Sequence, residues 1–167
     1  MFWGIAEKMR TFRTRRQMRH NAEEMFELVA DVENYPKFVP LCEALKVRER
    51  QSKGDTEVLI ADMTVSFRLF RETFASRVEL RRSAKEIIVS YLDGPFRQLE
   101  NRWSFAELSE EGCEVDFYIA YEFRARSLQL FVGTMFDRAF RRFANAFEER
   151  ADAVYGRPRQ TVLGSVV

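Results

Sequence analysis

The sequence is poor in the residues from which most enzyme sites are built. Its 167 residues hold one histidine, two cysteines, four prolines and seven glycines. The single histidine, His20, has no metal-type spacing to Cys42 or Cys113, so a zinc site is not expected. The glycines form neither a Gly-x-Gly-x-x-Gly turn nor a Walker loop, which disfavours nucleotide-dependent chemistry. There is no Gly-x-Ser-x-Gly elbow to present a nucleophilic serine. No segment reaches the ~20 apolar residues of a membrane-crossing helix, and the apolar stretch 1–6 is shorter than a signal-peptide core. Lys plus Arg number 27 and Asp plus Glu 26, so a net charge of +1 argues against a bulk polyanion as partner. Two widely spaced thiols suit a reducing compartment. The expectation is therefore a cytoplasmic protein, at most peripheral at the inner face of a membrane, with no metal and no resident cofactor.

What the chain has in abundance is phenylalanine, 16 residues, and their placement is periodic. Cys113, Val115, Phe117, Ile119, Tyr121 and Phe123 alternate with mostly polar neighbours, the period of a half-buried strand. From about 127 to 155 the period becomes helical. Leu128, Val132, Met135, Phe136, Ala139, Phe143 and Phe147 share a stripe that Phe140 and Ala151 widen. A helix this rich in Phe needs a concave apolar partner, and the preceding strands can supply one.

Upstream, residues 11–19 read as a first strand. Asn21, with Glu24 three residues on, offers a capped helix start, and Pro36 is expected to stop that helix. Phe38 to Leu41 make a greasy connection, with room for a further helical turn. Strands follow at 43–51 and 56–67. A shift of phase after Phe67 marks a turn, after which Phe74, Ser76, Val78 and Leu80 point one way. Further strands are expected at 85–92 and around Leu99, Trp103 and Phe105, joined by short turns and hence antiparallel. The fold class is α+β: a curved antiparallel sheet of about seven strands wrapped around a long C-terminal helix. Residues 1–10 read as an N-terminal extension, 11–155 as one domain, and 156–167 as a flexible tail.

Few residues suggest chemistry. His20 reads as a surface or capping residue. Asp62 and Glu72 read as outward acids paired with arginines in preference to buried acid–base groups. Asn101 and Tyr121 are candidates to hydrogen-bond a ligand inside an apolar pocket. Phe143, Phe147 and Val154 read as plain core. Phe38, Met63, Phe67, Trp103, Tyr121, Met135, Phe136, Ala139 and Phe140 are expected to line a cavity, where Gly133 lowers the bulk of the helix. Tyr35, Pro36, Val39, Pro40 and Leu41 form a candidate lid or membrane-touching loop. Arg10, Arg13, Arg15, Arg16 and Arg19, with Lys8, make a basic stretch that would suit anionic lipid or RNA. Its plainer reading, an edge strand guarded by charge, is preferred.

Several segments then carry a resemblance. FELVADVENYPKFVP at 26–40, DGPF at 93–96, LENRW at 99–103, and VDF at 115–117 leading to Phe123 are together similar to the coenzyme Q-binding START-like family. That family lies within the helix-grip superfamily of polyketide cyclases and lipid carriers, and it includes bacterial ribosome-association toxins. The likeness spans roughly 11–155. It implies a helix-grip fold and non-catalytic binding of ubiquinone or a polyprenylated precursor, supporting respiration and quinone synthesis. Its second implication is a regulator that binds the large ribosomal subunit, and an aromatase/cyclase-type enzyme is a distant third. Partners are a hydrophobic small molecule, with peripheral membrane or ribosome contact as options; the oligomeric state is left open.

Overall fold

A computed structural model describes residues 9–156. Strand β1 (Arg10–Met18) is followed by helix α1 (Ala22–Ala30) and a 3-10 helix (Val32–Lys37). Strands β2 (Cys42–Lys53), β3 (Thr56–Phe67), β4 (Phe70–Arg81), β5 (Glu86–Asp93), β6 (Phe96–Ser109) and β7 (Gly112–Phe123) come next, and α2 (Arg126–Tyr155) ends the fold. All seven strands form one antiparallel sheet in the order β1-β7-β6-β5-β4-β3-β2. The strands from β2 to β7 therefore meander through hairpins, and β1 closes the far side against β7. This is the expected α+β helix-grip arrangement.

The alternation of side chains produces one apolar face. A single cross-strand rank runs Leu59, Val78, Val89, Asn101, Ile119 and Phe12 from β3 to β1, so inward positions stack in rows. Helix α2 lies on this concave face. Phe136, Phe140 and Phe147 are buried there, with Phe147 only 1% exposed. Helix α1 closes one end, setting Phe26 edge-on to Phe105 with ring centroids 5.8 Å apart.

Three local details depart from expectation. Helix α1 ends at Ala30, and Pro36 sits inside the following 3-10 helix. That turn is held by Asn34 N–H on Asp31 O (3.2 Å) and by Phe38 N–H on Tyr35 O (3.1 Å), neither of which needs the N–H that proline lacks. His20 is buried, not at the surface: Nε2 lies 2.7 Å from Asp152 Oδ1 and Nδ1 3.3 Å from Glu24 Oε2. Val154 is half exposed in the last turn of α2, beyond the reach of the sheet. The tail from 157 on, and all of the N-terminal extension except Met9 and Arg10, lie outside the described residues.

Candidate functional site

Between the sheet and α2 lies an apolar cavity. Its volume is about 130 Å³. The wall is built from inward positions of every strand except β1, from the middle of α2 between Phe136 and Phe147, and from the connection before β2. No Asp, Glu, Lys, Arg, His or Cys is among the lining residues. The cavity can take up apolar surface, but it offers no side chain that exchanges a proton near neutrality.

Met63, Trp103, Phe136, Ala139 and Phe140 line this space, as do Tyr35, Val39, Pro40 and Leu41. Phe143 and Phe147, expected as plain core, line it too. Four expected lining residues do not. Tyr121 is fully buried and turns its hydroxyl to α2, donating toward Gly133 O (3.3 Å) and Asp137 Oδ1 (3.2 Å). Burial, with Asp137 beside it, raises its pKa above the ordinary tyrosine value. Phe38 packs outside the wall, edge-on to Phe147 at 5.0 Å, with the Arg150 guanidinium 5.4 Å from its ring. Phe67 ends β3 beyond the cavity and lies 5.3 Å from the Arg68 guanidinium. Met135 packs against the core from the neighbouring helix position. Gly133 does not empty the cavity either, because the Arg10 guanidinium fills the space beside it.

The connection before β2 faces inward. Val39 is buried and Tyr35 and Leu41 are half buried, whereas Pro36 is exposed and does not reach the cavity. A membrane contact through this segment would first have to turn it over. The Tyr35 hydroxyl donates to Val29 O at 2.5 Å. Leu41 holds φ at 68°, a left-handed backbone that is costly for a bulky side chain. Large apolar side chains are freely exposed elsewhere, at Leu69, Leu130 and Phe131.

The basic stretch is divided by the alternation of β1. Arg13 and Arg15 point to the convex face and share Asp116, at 2.8 Å and 2.9 Å. Their hydrogen bonds, Arg13 first, hold the Asp116 carboxyl below the usual carboxylate range. Arg10 and Arg16 project toward α2, where Arg10 meets Asp137 at 2.8 Å and Arg16 meets Asn145 at 2.5 Å. Arg19 is exposed, and Lys8 lies outside the described residues. The stretch is therefore a paired edge strand more than an open cationic patch. Asp62 likewise bonds Arg48 at 2.8 Å on the outside, and Glu72 does not line the cavity.

One lining residue absent from the expected set is Ser76. It is 5% exposed, and its Oγ is buried with no hydrogen-bond partner among the described residues. An unpaired buried hydroxyl costs roughly 1–3 kcal/mol. The signal was present in the inward run Phe74, Ser76, Val78 and Leu80, where serine is the one polar member. Asn101 also lines the cavity, but its amide is committed: Nδ2 donates to Tyr118 O (2.9 Å) and Oδ1 accepts from Trp103 Nε1 (3.0 Å).

Comparison with known proteins gives a consistent result. Residues 18–148 match the family described as polyketide cyclase / dehydrase and lipid transport. The ribosome association toxin RatA of Escherichia coli is 34% identical over 136 residues, covering 81% of this chain and 83% of the toxin. The mitochondrial coenzyme Q-binding protein COQ10 homolog B of Xenopus laevis is 32% identical over 139 residues, covering 81% of this chain and 55% of that protein. A START superfamily protein from Mycobacterium smegmatis shares the fold, with a TM-score of 0.73 at 18% identity over 86% of this chain and 98% of that one.

Proposed function

Because the chain belongs to the polyketide cyclase / dehydrase and lipid transport family, we propose that it binds ubiquinone or a polyprenylated quinone precursor in the cavity and carries it without catalysing a reaction. The observation that carries this reading is the lining itself: a space between sheet and helix walled by aliphatic and aromatic side chains with no charged group among them. Each tail CH₂ moved from water into such a sleeve gains about 0.8 kcal/mol. A quinone ring needs only one or two polar partners.

The resting cavity of about 130 Å³ is below the roughly 300–1,000 Å³ of ordinary ligand sites, so loading must widen it. Helix α2 lies close to β1, β7 and α1, and the cavity wall runs from it across β3–β5. Loading opens that side, next to Leu41. Among the described residues no helix is long and apolar enough to cross a membrane.

The test is native mass spectrometry with lipid extraction of protein purified gently from its own host, beside the cavity-filling variant Ala139→Trp. Ubiquinone or a polyprenylated precursor near one per chain, lost in the variant, is the expected result. An empty wild-type cavity would overturn it.

A second reading rests on the likeness to the ribosome association toxin of Escherichia coli, together with a groove on the sheet's convex face lined by Arg13, Arg81 and Arg102 beside Glu86 and Asp116. In that reading the protein binds the large ribosomal subunit. Co-sedimentation would then weaken steeply with salt and would be indifferent to Ala139→Trp.

A further inference from the structure

We propose that Ser76 Oγ is the polar anchor of the cavity, and that it selects an uncharged ligand by hydrogen bonding to a neutral oxygen such as a carbonyl. This rests on the ligand-carrier reading above and narrows it to a chemical class.

The polar groups that line the cavity can be accounted for one by one. The Tyr35 hydroxyl donates to Val29 O, and the Trp103 indole N–H to Asn101 Oδ1. Asn101 Nδ2 donates to Tyr118 O. Ser76 is left over. Its cross-strand neighbours are Ala61, which has no polar side-chain atom, and Tyr91, whose hydroxyl accepts the Phe96 N–H at 3.2 Å. The serine hydroxyl is therefore held in an apolar wall with both its proton and its lone pairs free for an incoming group.

The same wall limits what that group can be. With no cationic side chain lining the cavity, a carboxylate or phosphate would arrive without a counter-charge, and burial of an unpaired ion is strongly unfavourable. A ketone, quinone or ester carbonyl needs only one donor, and Ser76 supplies it. A pure hydrocarbon would fit the wall and leave the hydroxyl as orphaned as before.

The experiment is calorimetric titration of wild type and Ser76→Ala with three probes of matched chain: hexylbenzoquinone, hexylbenzene and hexylbenzoate. Wild type should bind the quinone more tightly than the hydrocarbon and at least about tenfold more tightly than the carboxylate. Ser76→Ala should weaken the quinone roughly fivefold to tenfold, the usual worth of one hydrogen bond, and leave hexylbenzene unchanged. Ligand-free Ser76→Ala should melt no lower than wild type, because the change removes an unpaired buried hydroxyl. Equal effects of the substitution on all three probes, or none on the quinone, would remove the anchor while the carrier reading stood. Carboxylate binding as tight as quinone binding would remove the selection for neutral ligands. If no probe binds, the carrier reading falls and takes this inference with it.

Discussion

The guanidinium of Arg10 occupies the place where a side chain at Gly133 would stand. A Cβ at position 133 would lie 2.5 Å from Arg10 Nε. From there Arg10 reaches Asp137, which also receives the Tyr121 hydroxyl. This knot joins the first half of α2 to β1 and β7.

The first prediction follows from it. Gly133→Ala gains about 0.8–1.0 kcal/mol of helix propensity but displaces the guanidinium from its partner, a half-exposed pair worth about 0–1 kcal/mol. In wild type the two should nearly cancel. In an Arg10→Ala background the helix gain should emerge in full. Urea denaturation of the four proteins reads the coupling, and strict additivity would dismiss the relationship.

His20 joins the entry of α1 to the last turns of α2 through Glu24 and Asp152. Replacing it with alanine removes a buried ring and both contacts, and should cost about 2–4 kcal/mol. Hydrogen exchange should quicken in the last turns of α2 before it does at Phe136. Uniform exchange along the helix would contradict this.

Burial pushes the Cys42 thiol up to about 11 and Cys113 up to about 12. An unfolded thiol titrates near 8.5, by comparison. Both should alkylate far more slowly in the folded protein at pH 8 than in urea. The native state holds these protons where the unfolded state has released them. The stability they contribute is thus present below about pH 8.5 and is lost as pH rises through 11 to 12. Rapid alkylation of the folded protein at pH 8 would refute it.

Gly94 has φ at 141°, and a Cβ there would stand 2.6 Å from Phe74 Cβ. Gly94→Ala should therefore destabilise by about 1–3 kcal/mol. Because Phe74 lines the cavity, ligand affinity should fall along with the melting temperature. A variant as stable as wild type would show that the turn tolerates the methyl group.

Alternation made the sheet legible. The odd positions from Cys113 to Phe123 and the even positions from Phe74 to Leu80 assign the inward face of β7 and most of β4; Phe70, read as part of the turn, begins β4 and packs inward on Phe123 and Phe136. The helix stripe was equally plain. The same rule, applied to β1, would have separated Arg13 and Arg15 from Arg10 and Arg16. A count of basic residues along the chain hid this. Tyr121 was misplaced because periodicity tells which face a residue takes, not whether its hydroxyl is claimed by a helix carbonyl. Phe38 and Phe67 were misplaced because the cavity's ends depend on sheet curvature, which no short window encodes. Ser76 was passed over for the opposite reason: its position was known, but whether a buried hydroxyl has a partner is a property of the assembled wall.

Trp103 sits in that wall, 7% exposed and edge-on to Phe117 and Phe147 at 4.6 Å and 5.0 Å. Its indole is shielded from water and within touching range of whatever fills the cavity. The protein therefore carries its own optical gauge. In a Trp3→Phe background, Trp103 emission should be shifted to the blue at rest, and it should be extinguished by an electron-accepting ring when cargo arrives. Delivery could then be followed in real time, without a label, as light returning.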